Sequence, residues 1–156
     1  MASTNTPPQR ILENLQDLAE FSLQIKEKLL FPSLLLLSGQ LGAGKTAFTK
    51  KLASLYGFPE NTVKSPSFSL INIYQNDLIQ INHLDFYRLE APDIFLQENL
   101  KELLSNPQSL TIVEWPERLE LEKISHLPRQ ILQLNFQLKN QGEKTFRTVQ
   151  IHDKSI

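Results

Sequence analysis

The stretch Gly39-Gln40-Leu41-Gly42-Ala43-Gly44-Lys45-Thr46 decides the fold predicted for this 156-residue chain. Three of the five glycines of the chain fall in this window, where they allow the backbone to turn sharply. Directly before it, Leu34 to Leu37 form an unbroken apolar run, which is typical of a strand buried on both faces. After it, Phe48, Leu52 and Leu55 recur at helical spacing. The stretch therefore predicts a buried strand, a tight glycine loop and a helix, in that order.

The loop also matches the pattern G-x-x-x-x-G-K-[ST], whose chemistry suits a nucleoside triphosphate. Its N–H groups and the positive end of the following helix attract phosphate, Lys45 can reach the β- and γ-phosphates, and the Thr46 hydroxyl can ligate Mg²⁺. An ordinary strand-to-helix turn is the alternative, but the flanking strand and helix favour binding of ATP with Mg²⁺. The residues predicted to contact the nucleotide are Gly39, Gln40, Leu41, Gly42, Ala43, Gly44, Lys45, Thr46 and Ala47.

The rest of the chain alternates between helical and strand patterns. Apolar spacing predicts a helix from Ile11 to Leu30 and another that begins near Pro92 and stops at Asn106. The other predicted strands are 67–74 and 78–84, joined by a turn at 75–77, then 110–113, and a closing antiparallel pair, 130–138 and 145–152. These elements predict an α/β fold, a P-loop NTPase-like three-layer sandwich with a mostly parallel central sheet, an inserted β-hairpin and an antiparallel C-terminal pair. We expect residues 1–10 to be a flexible tail and residues 11–156 to be a single domain.

Composition excludes several classes of function. The formal net charge is −1 and the sixteen Lys and Arg residues are scattered, so direct, unaided binding of nucleic acid is not predicted. The chain has no cysteine, which excludes disulfides and thiolate sites and fits a reducing compartment. The most apolar run, Leu29 to Leu37, is too short to cross a membrane, which takes about 20 apolar residues. We therefore expect a cytoplasmic protein.

Two carboxylates stand where a P-loop enzyme needs an acidic group, at the ends of predicted strands. Glu114 follows the apolar run 110–113, and Asp85 follows 81–84. Such a group holds Mg²⁺ or its water shell. Either carboxylate can instead be solvated or paired with an arginine such as Arg88 or Arg118. Spacing alone leaves open which of the two contacts the metal.

For the other polar and aromatic residues near these positions, a structural role is favoured over a catalytic one or is left open beside it. His83 precedes Asp85 by two residues and so shares its strand face, where a buried, hydrogen-bonded histidine is favoured over a catalytic one. Tyr87 and Trp115 are interpreted as packing residues in preference to stacking on a base. The turn 64–67 is either a mobile element that senses the γ-phosphate or a connection to the hairpin.

Taken together, these motifs resemble one family, the bacterial TsaE (YjeE) ATPases required for N6-threonylcarbamoyladenosine in tRNA. Order and spacing match over about residues 11 to 150. The two blocks that begin at His83 and Val113 are far more specific than a P-loop. The matching blocks are Ser38-Gly39 through Phe48, Val63-Lys64-Ser65-Pro66-Ser67-Phe68, His83-Leu84-Asp85-Phe86-Tyr87-Arg88-Leu89 and Val113-Glu114-Trp115-Pro116-Glu117-Arg118.

The resemblance implies residue roles by motif matching. Thr46 and Glu114 would ligate Mg²⁺, and Asp85 would serve catalysis near the γ-phosphate. The catalytic residues would be Lys45, Asp85 and Glu114. The block from Ser65 to Phe68 would be a switch-like element that responds to the nucleotide.

It also implies an activity and partners. The activity would be ATP hydrolysis, slow alone, within a complex with the TsaB and TsaD proteins. That complex forms the threonylcarbamoyl group on adenosine 37 of tRNAs reading codons that start with A. The transfer itself belongs to TsaD in that family, so tRNA would be an indirect partner. A contact to the base from around Gly142 is a further expectation.

Other classes of P-loop protein share the loop. A small-molecule kinase differs only in having an acceptor site, usually under an arginine-rich lid, and the five arginines here include no two neighbours. A guanine-nucleotide switch would read its base with an Asn-Lys-x-Asp segment, which the chain lacks. A non-catalytic module whose nucleotide state gates a partner also remains open.

Overall fold

The structure is a computed structural model that describes residues 6–91 and 93–155. Its centre is one seven-stranded sheet with the strand order β1-β7-β6-β2-β5-β4-β3. The strands are β1 Gln9–Leu12, β2 Ser33–Ser38, β3 Ile71–Gln75, β4 Gln80–Asp85, β5 Ser109–Glu114, β6 Gln130–Gln141 and β7 Lys144–Asp153. The helices are α1 Leu15–Lys28, α2 Lys45–Ser54 and α3 Ile94–Leu104, with short 3₁₀ turns at Glu60–Thr62, Pro116–Arg118 and Leu121–Lys123.

The four inner strands, β6, β2, β5 and β4, are mutually parallel. The outer pairings, β1 with β7, β7 with β6 and β4 with β3, are antiparallel, so the sheet as a whole is mixed. Register brings Leu37 level with Glu114, and Glu114 level with Asp85. The C-terminal ends of three adjacent parallel strands therefore meet at one edge, which is where α/β proteins place ligands.

Helices cover both faces of the sheet, as a three-layer sandwich requires. Alternate residues of β2 point to opposite faces, which places Leu35 and Leu37 in one core and Leu34 and Leu36 in the other. The first core also holds Phe21 and Ile25 of α1 with Phe48 and Leu52 of α2, and the second holds Leu96, Leu100 and Leu104 of α3. The predicted α/β fold is confirmed.

The N-terminal prediction is wrong in two respects. Gln9 and Arg10, assigned to a tail, belong to strand β1, whereas residues 1–5 lie outside the described part of the chain. The helix begins at Leu15 and not at Ile11, because β1 runs to Leu12 and the Asn14 side chain caps the helix by accepting from the Asp17 N–H. Pairing of β1 with β7 is a long-range contact that local apolar spacing does not report.

The buried face of α1 also differs from the one that its apolar spacing suggests. Leu15, an apolar residue within the predicted helix, is 79% exposed, and α1 buries Phe21 and Ile25. Leu12 is buried, but as a residue of strand β1 and not of the helix.

The middle of the chain follows its prediction with shifted boundaries. β3 begins at Ile71 and not at Ser67, because residues 66–70 form a turn closed by the Leu70 N–H donating to the Pro66 carbonyl at 2.7 Å. α3 begins at Ile94 behind the cap Asp93, whereas Pro92, its predicted start, lies outside the described residues. No helix in the described ranges is long and apolar enough to cross a membrane.

Candidate functional site

The glycine loop leaves the end of β2 and opens directly into α2. Gly39, Gly42 and Gly44 all have positive φ, of 142°, 78° and 107°. At Gly39 a close approach adds to this requirement, since a Cβ there would lie 2.5 Å from the carbonyl oxygen of Phe136 on β6. The loop is therefore shaped by its neighbours in the sheet as well as by its own sequence.

The start of α2 offers unpaired amides to an acceptor. Gly44 is the cap residue, and the first helical bond runs from the Phe48 N–H to the Gly44 carbonyl. The amides that precede it have no partner within the helix, as at every helix start. No acidic side chain occupies the first turn, so the positive end of the helix is not neutralised by its own residues. The arrangement suits an anion.

Lys45 lies within the loop that precedes it. Its side chain is 5% exposed, and its Nζ donates to the carbonyls of Gly39 and Gln40, the latter at 3.0 Å. Burial lowers the pKa of Lys45 from its ordinary value, and the negative charges of Glu114, Asp85 and Glu117 oppose that shift. The ammonium is thus held at the loop with carboxylates on its other side.

Glu114 connects the loop to the sheet. The Thr46 hydroxyl donates to its carboxylate, at 3.0 Å from Oε1 and 3.3 Å from Oε2. Nε2 of His83 lies 2.9 Å from the same Oε1. Glu114 is 3% exposed and His83 is fully buried. His83 lies on the same face of β4 as Asp85, as its spacing in the sequence predicts. Its hydrogen bond, however, is to Glu114 on the neighbouring strand β5.

Asp85 has a different environment although it lies level with Glu114. Its Oδ1 accepts from the backbone N–H of Tyr87 at 2.9 Å, and its Oδ2 accepts from the Ser65 hydroxyl at 3.4 Å. Ser65 belongs to the block 65–68, so the predicted switch-like segment touches the predicted catalytic carboxylate. Within the described ranges neither Asp85 nor Glu114 forms a salt bridge with an arginine, unlike the alternative considered from the sequence.

A cavity of about 470 Å³ collects these groups. Leu41 to Ala47 form one wall, and Asp85, Glu114 and Ser65 form another. Trp115 and Tyr87 also line it, their ring centroids 5.0 Å apart, and the Lys45 ammonium lies 4.4 Å from the Trp115 ring centroid. The two aromatic rings therefore stand at the lysine end of the site.

A second cavity, of about 350 Å³, adjoins the first. Apolar side chains from three elements line it, among them Leu12, Leu15, Leu18 and Phe136, together with the polar residues Glu13 and Asn14. Gly44, Ala47 and Arg147 line both cavities. Arg147 and Phe136 are not among the residues predicted from the sequence, because strand residues of the C-terminal pair carry no local signal of what they face.

The structure brings together most of the predicted site residues. Leu41 to Ala47, Asp85 and Glu114 share the first cavity, and Gly39 and Gln40 accept from Lys45. Gly142 is apart from them, in the turn between β6 and β7, and lines neither cavity. Its positive φ of 62° serves the turn.

The donor set beside α2 fits Mg²⁺. A threonine hydroxyl and a carboxylate are the hard oxygen ligands that this ion takes from P-loop proteins. Across residues 6–91 and 93–155, no cluster of three or more histidine, aspartate or glutamate side chains forms a metal cage. An ion held here would complete its shell with phosphate oxygens and water, as Mg²⁺ does at nucleotide sites.

A buried parallel strand, a glycine loop and a helix start, with carboxylates at the adjoining strand ends, are the arrangement of P-loop NTPase-like α/β proteins. The solved structure of YdiB from Bacillus subtilis has the same fold, with a TM-score of 0.59, 23% identity, and coverage of 92% of this chain and 84% of that chain. The family model "Threonylcarbamoyl adenosine biosynthesis protein TsaE" matches residues 12–148. This chain belongs to the TsaE family.

Individual relatives agree with that assignment. The chain is 30% identical over 137 residues to the tRNA threonylcarbamoyladenosine biosynthesis protein TsaE of Rickettsia bellii, covering 87% of this chain and 90% of the relative. It is 33% identical over 129 residues to the protein of the same name in Aquifex aeolicus, covering 78% and 91%. For the Bacillus subtilis protein of that name, identity is 34% over 119 residues, covering 74% and 69%.

Proposed function

We propose that this protein binds ATP with Mg²⁺ and hydrolyses it while acting with TsaB and TsaD proteins to form the threonylcarbamoyl group on the tRNA adenosine. The observation that carries the proposal is the Thr46–Glu114 contact, which joins the P-loop hydroxyl to a strand-end carboxylate beside a buried lysine. Relatives named for threonylcarbamoyladenosine biosynthesis supply the pathway. The absence of cysteine fits the cytoplasm as its location.

In this proposal the loop holds the phosphates and the strand ends hold the metal. The amides at the start of α2 donate to phosphate oxygens, and the Lys45 ammonium exchanges its loop carbonyls for the β- and γ-phosphates. Thr46 and Glu114 would hold Mg²⁺, which when bound would offset the negative charge that develops on the phosphates in the transition state. Asp85 accepts a hydrogen bond from the attacking water and so orients it toward the γ-phosphate.

The second cavity is proposed to take the base. Its walls are mainly apolar, as a site for a flat aromatic ring requires, and it joins the phosphate cavity at Gly44 and Ala47. The Asn14 oxygen is engaged as the α1 cap, which leaves the amide NH₂ of Asn14 to donate to a ring nitrogen. By contrast, Trp115 and Tyr87 lie at the phosphate end, and we assign them no contact with the base.

Charge supports an indirect role for tRNA. The net charge is −1 and the sixteen Lys and Arg residues are scattered along the sequence, so no basic stripe stands out that would hold a polyanion by counterion release. We therefore propose that the partner proteins bind tRNA, and that this protein supplies hydrolysis to their complex.

The test is ATP hydrolysis measured with and without TsaB and TsaD, for the unaltered protein and for Thr46→Ala. We expect TsaB and TsaD to raise the rate of ATP hydrolysis. We expect Thr46→Ala to lose the Mg²⁺-dependent part of that rate. Thr49→Ala is the matched control, because Thr49 lies one turn further along α2 and its hydroxyl donates to the Lys45 carbonyl. Hydrolysis that is indifferent to the partners would contradict the proposal and favour a small-molecule kinase.

A further inference from the structure

Arg147 stands at the junction of the two cavities. It lies on β7, level with Leu12 of β1 and Leu138 of β6, and lines both the phosphate cavity and the apolar cavity. Only Gly44 and Ala47 share that position among the lining residues. The side chain that spans the neck between the cavities is therefore a permanently charged guanidinium.

The contacts of Arg147 fix the position of its side chain but pair its positive charge with no carboxylate of the described residues. Nη2 donates to the Gly42 carbonyl at 3.3 Å, and a Cβ on Gly44 would lie 3.2 Å from Cδ of Arg147, so the stem passes directly over the loop. The Nε atom is buried and has no hydrogen-bond partner in the described part of the protein. Nor does any carboxylate in residues 6–91 or 93–155 form a salt bridge with Arg147. A buried, unpaired N–H donor on a cation calls for an anionic acceptor.

We propose that Arg147 binds the α-phosphate of the nucleotide, an inference that rests on the proposed ATP site. A nucleotide is ordered as base, ribose, α-, β- and γ-phosphate. With the β- and γ-phosphates at Lys45 and the base in the apolar cavity, the α-phosphate falls at the neck where Gly44, Ala47 and Arg147 meet. Of the groups that pass through the neck, the α-phosphate alone is an anion suited to a guanidinium.

The position predicts how Arg147 contributes. ATP and ADP carry the same α-phosphate, and hydrolysis does not change it, so the contact stabilises substrate, transition state and product alike. Such uniform binding lowers KM and leaves kcat unchanged. Arg147 is thus a binding residue, and its loss is distinguishable from the loss of a group that acts on the γ-phosphate.

The test is calorimetric titration of the full chain with Mg-ATP and Mg-ADP, for the unaltered protein and for Arg147→Gln. We expect both nucleotides to bind about tenfold more weakly to Arg147→Gln, as for a lost charge-assisted hydrogen bond. Arg129→Gln is the matched control: it removes the same charge from the residue before β6, at the opposite edge of the parallel strands. We expect it to bind both nucleotides as the unaltered protein does.

Two results would overturn the inference. One is unchanged affinity for both nucleotides in Arg147→Gln, and the other is weakened affinity for ATP alone, which would place Arg147 on the γ-phosphate. If the unaltered protein bound neither nucleotide, the proposed function would fail and this inference with it. If the protein bound both nucleotides but did not hydrolyse ATP, the proposed function would fail in its hydrolysis step. Arg147→Gln would then still lose affinity for ATP and ADP equally, and this inference would stand.

A second measurement covers the case in which Arg147→Gln does not fold. Arg147→Lys keeps the charge and the aliphatic stem over Gly44 but loses the planar fork, so we expect an intermediate loss of affinity. In the unaltered protein, the Nε–H signal that is missing from Arg147→Lys should shift in the NMR spectrum when Mg-ADP is added. A signal that does not move at saturating ADP would overturn the inference.

Discussion

Nε2 of His83 lies 2.9 Å from Oε1 of Glu114, the oxygen that also accepts from the Thr46 hydroxyl at 3.0 Å. With the Nε2–H tautomer of the ring, Nε2 donates and the carboxylate oxygen accepts. The other ring nitrogen, Nδ1, is buried and unpartnered in the described chain, which makes the bond to Glu114 the one polar anchor of the ring. His83 therefore fixes the direction in which Glu114 presents its carboxylate to Thr46.

From this geometry we predict that His83 tunes the Mg²⁺ affinity of the site. His83→Leu should weaken Mg²⁺ binding in the presence of ADP by roughly 10- to 100-fold, the usual cost of losing a group that orients a metal ligand. His83→Gln should recover part of it, since the glutamine amide reaches about as far as Nε2. The measurement is a Mg²⁺ titration at fixed ADP, compared with the larger loss expected for Glu114→Gln.

A control separates this effect from a general loss of stability. Asn82 is also buried in β4, but it points to the other face and donates to Thr111 at 3.0 Å. We expect Asn82→Leu to destabilise the fold without altering the Mg²⁺ titration. Equal shifts in Asn82→Leu and His83→Leu would contradict a positioning role for His83.

Lys45→Met should lower ATP affinity by tenfold or more, because it removes the ammonium that would bind phosphate. In the structure the loop carbonyls and nearby carboxylates hold that ammonium at the site. Trp115 is the single tryptophan of the chain and lies beside Lys45, so its fluorescence reports binding. Lys51→Met is the control, since Lys51 lies on the same helix but pairs with Glu60. Unchanged ATP affinity in Lys45→Met would contradict the assignment of residues 39–46 as a phosphate-binding loop.

The glycines of the loop should differ in how they tolerate alanine. At Gly42 a Cβ meets nothing within 4 Å, so Gly42→Ala should cost only the strain of positive φ, about 1–2 kcal/mol of unfolding free energy. Gly39→Ala should cost clearly more, because its Cβ would lie 2.5 Å from the Phe136 carbonyl oxygen. Urea unfolding of the two variants gives the comparison. Equal costs would show that β6 does not constrain the loop at Gly39.

Tyr56 should make stability fall at high pH. Burial raises the pKa of Tyr56 from 10.0 to about 12, so the unfolded chain loses this proton first. Its contribution is complete below pH 10 and is lost as pH rises from there toward about 12. Urea midpoints at about pH 9 and about pH 11.5 should therefore show Tyr56→Phe gaining on the unaltered protein as pH rises. Parallel pH profiles for the two proteins would contradict this assignment.

Local patterns predicted those parts of the fold whose cause is local. The apolar run of β2 and the glycines after it indicated a buried strand and a loop, and the structure has β2 at Ser33–Ser38 and α2 from Lys45. The hairpin of β3 and β4 followed from two strand runs around turn residues. Where a partner strand decides the outcome, prediction was wrong: Gln9 to Leu12 form a strand because β7 pairs with them.

By itself, the sequence determined the loop from Gly39 to Thr46, the two strand-end carboxylates and the family, because each depends on residue type and spacing. The tertiary structure alone decided which groups touch. It placed Glu114 between Thr46 and His83, gave Asp85 the Ser65 hydroxyl, and laid Arg147 over Gly44. Those contacts arise from the register of neighbouring strands, which depends on pairing between residues far apart in the chain.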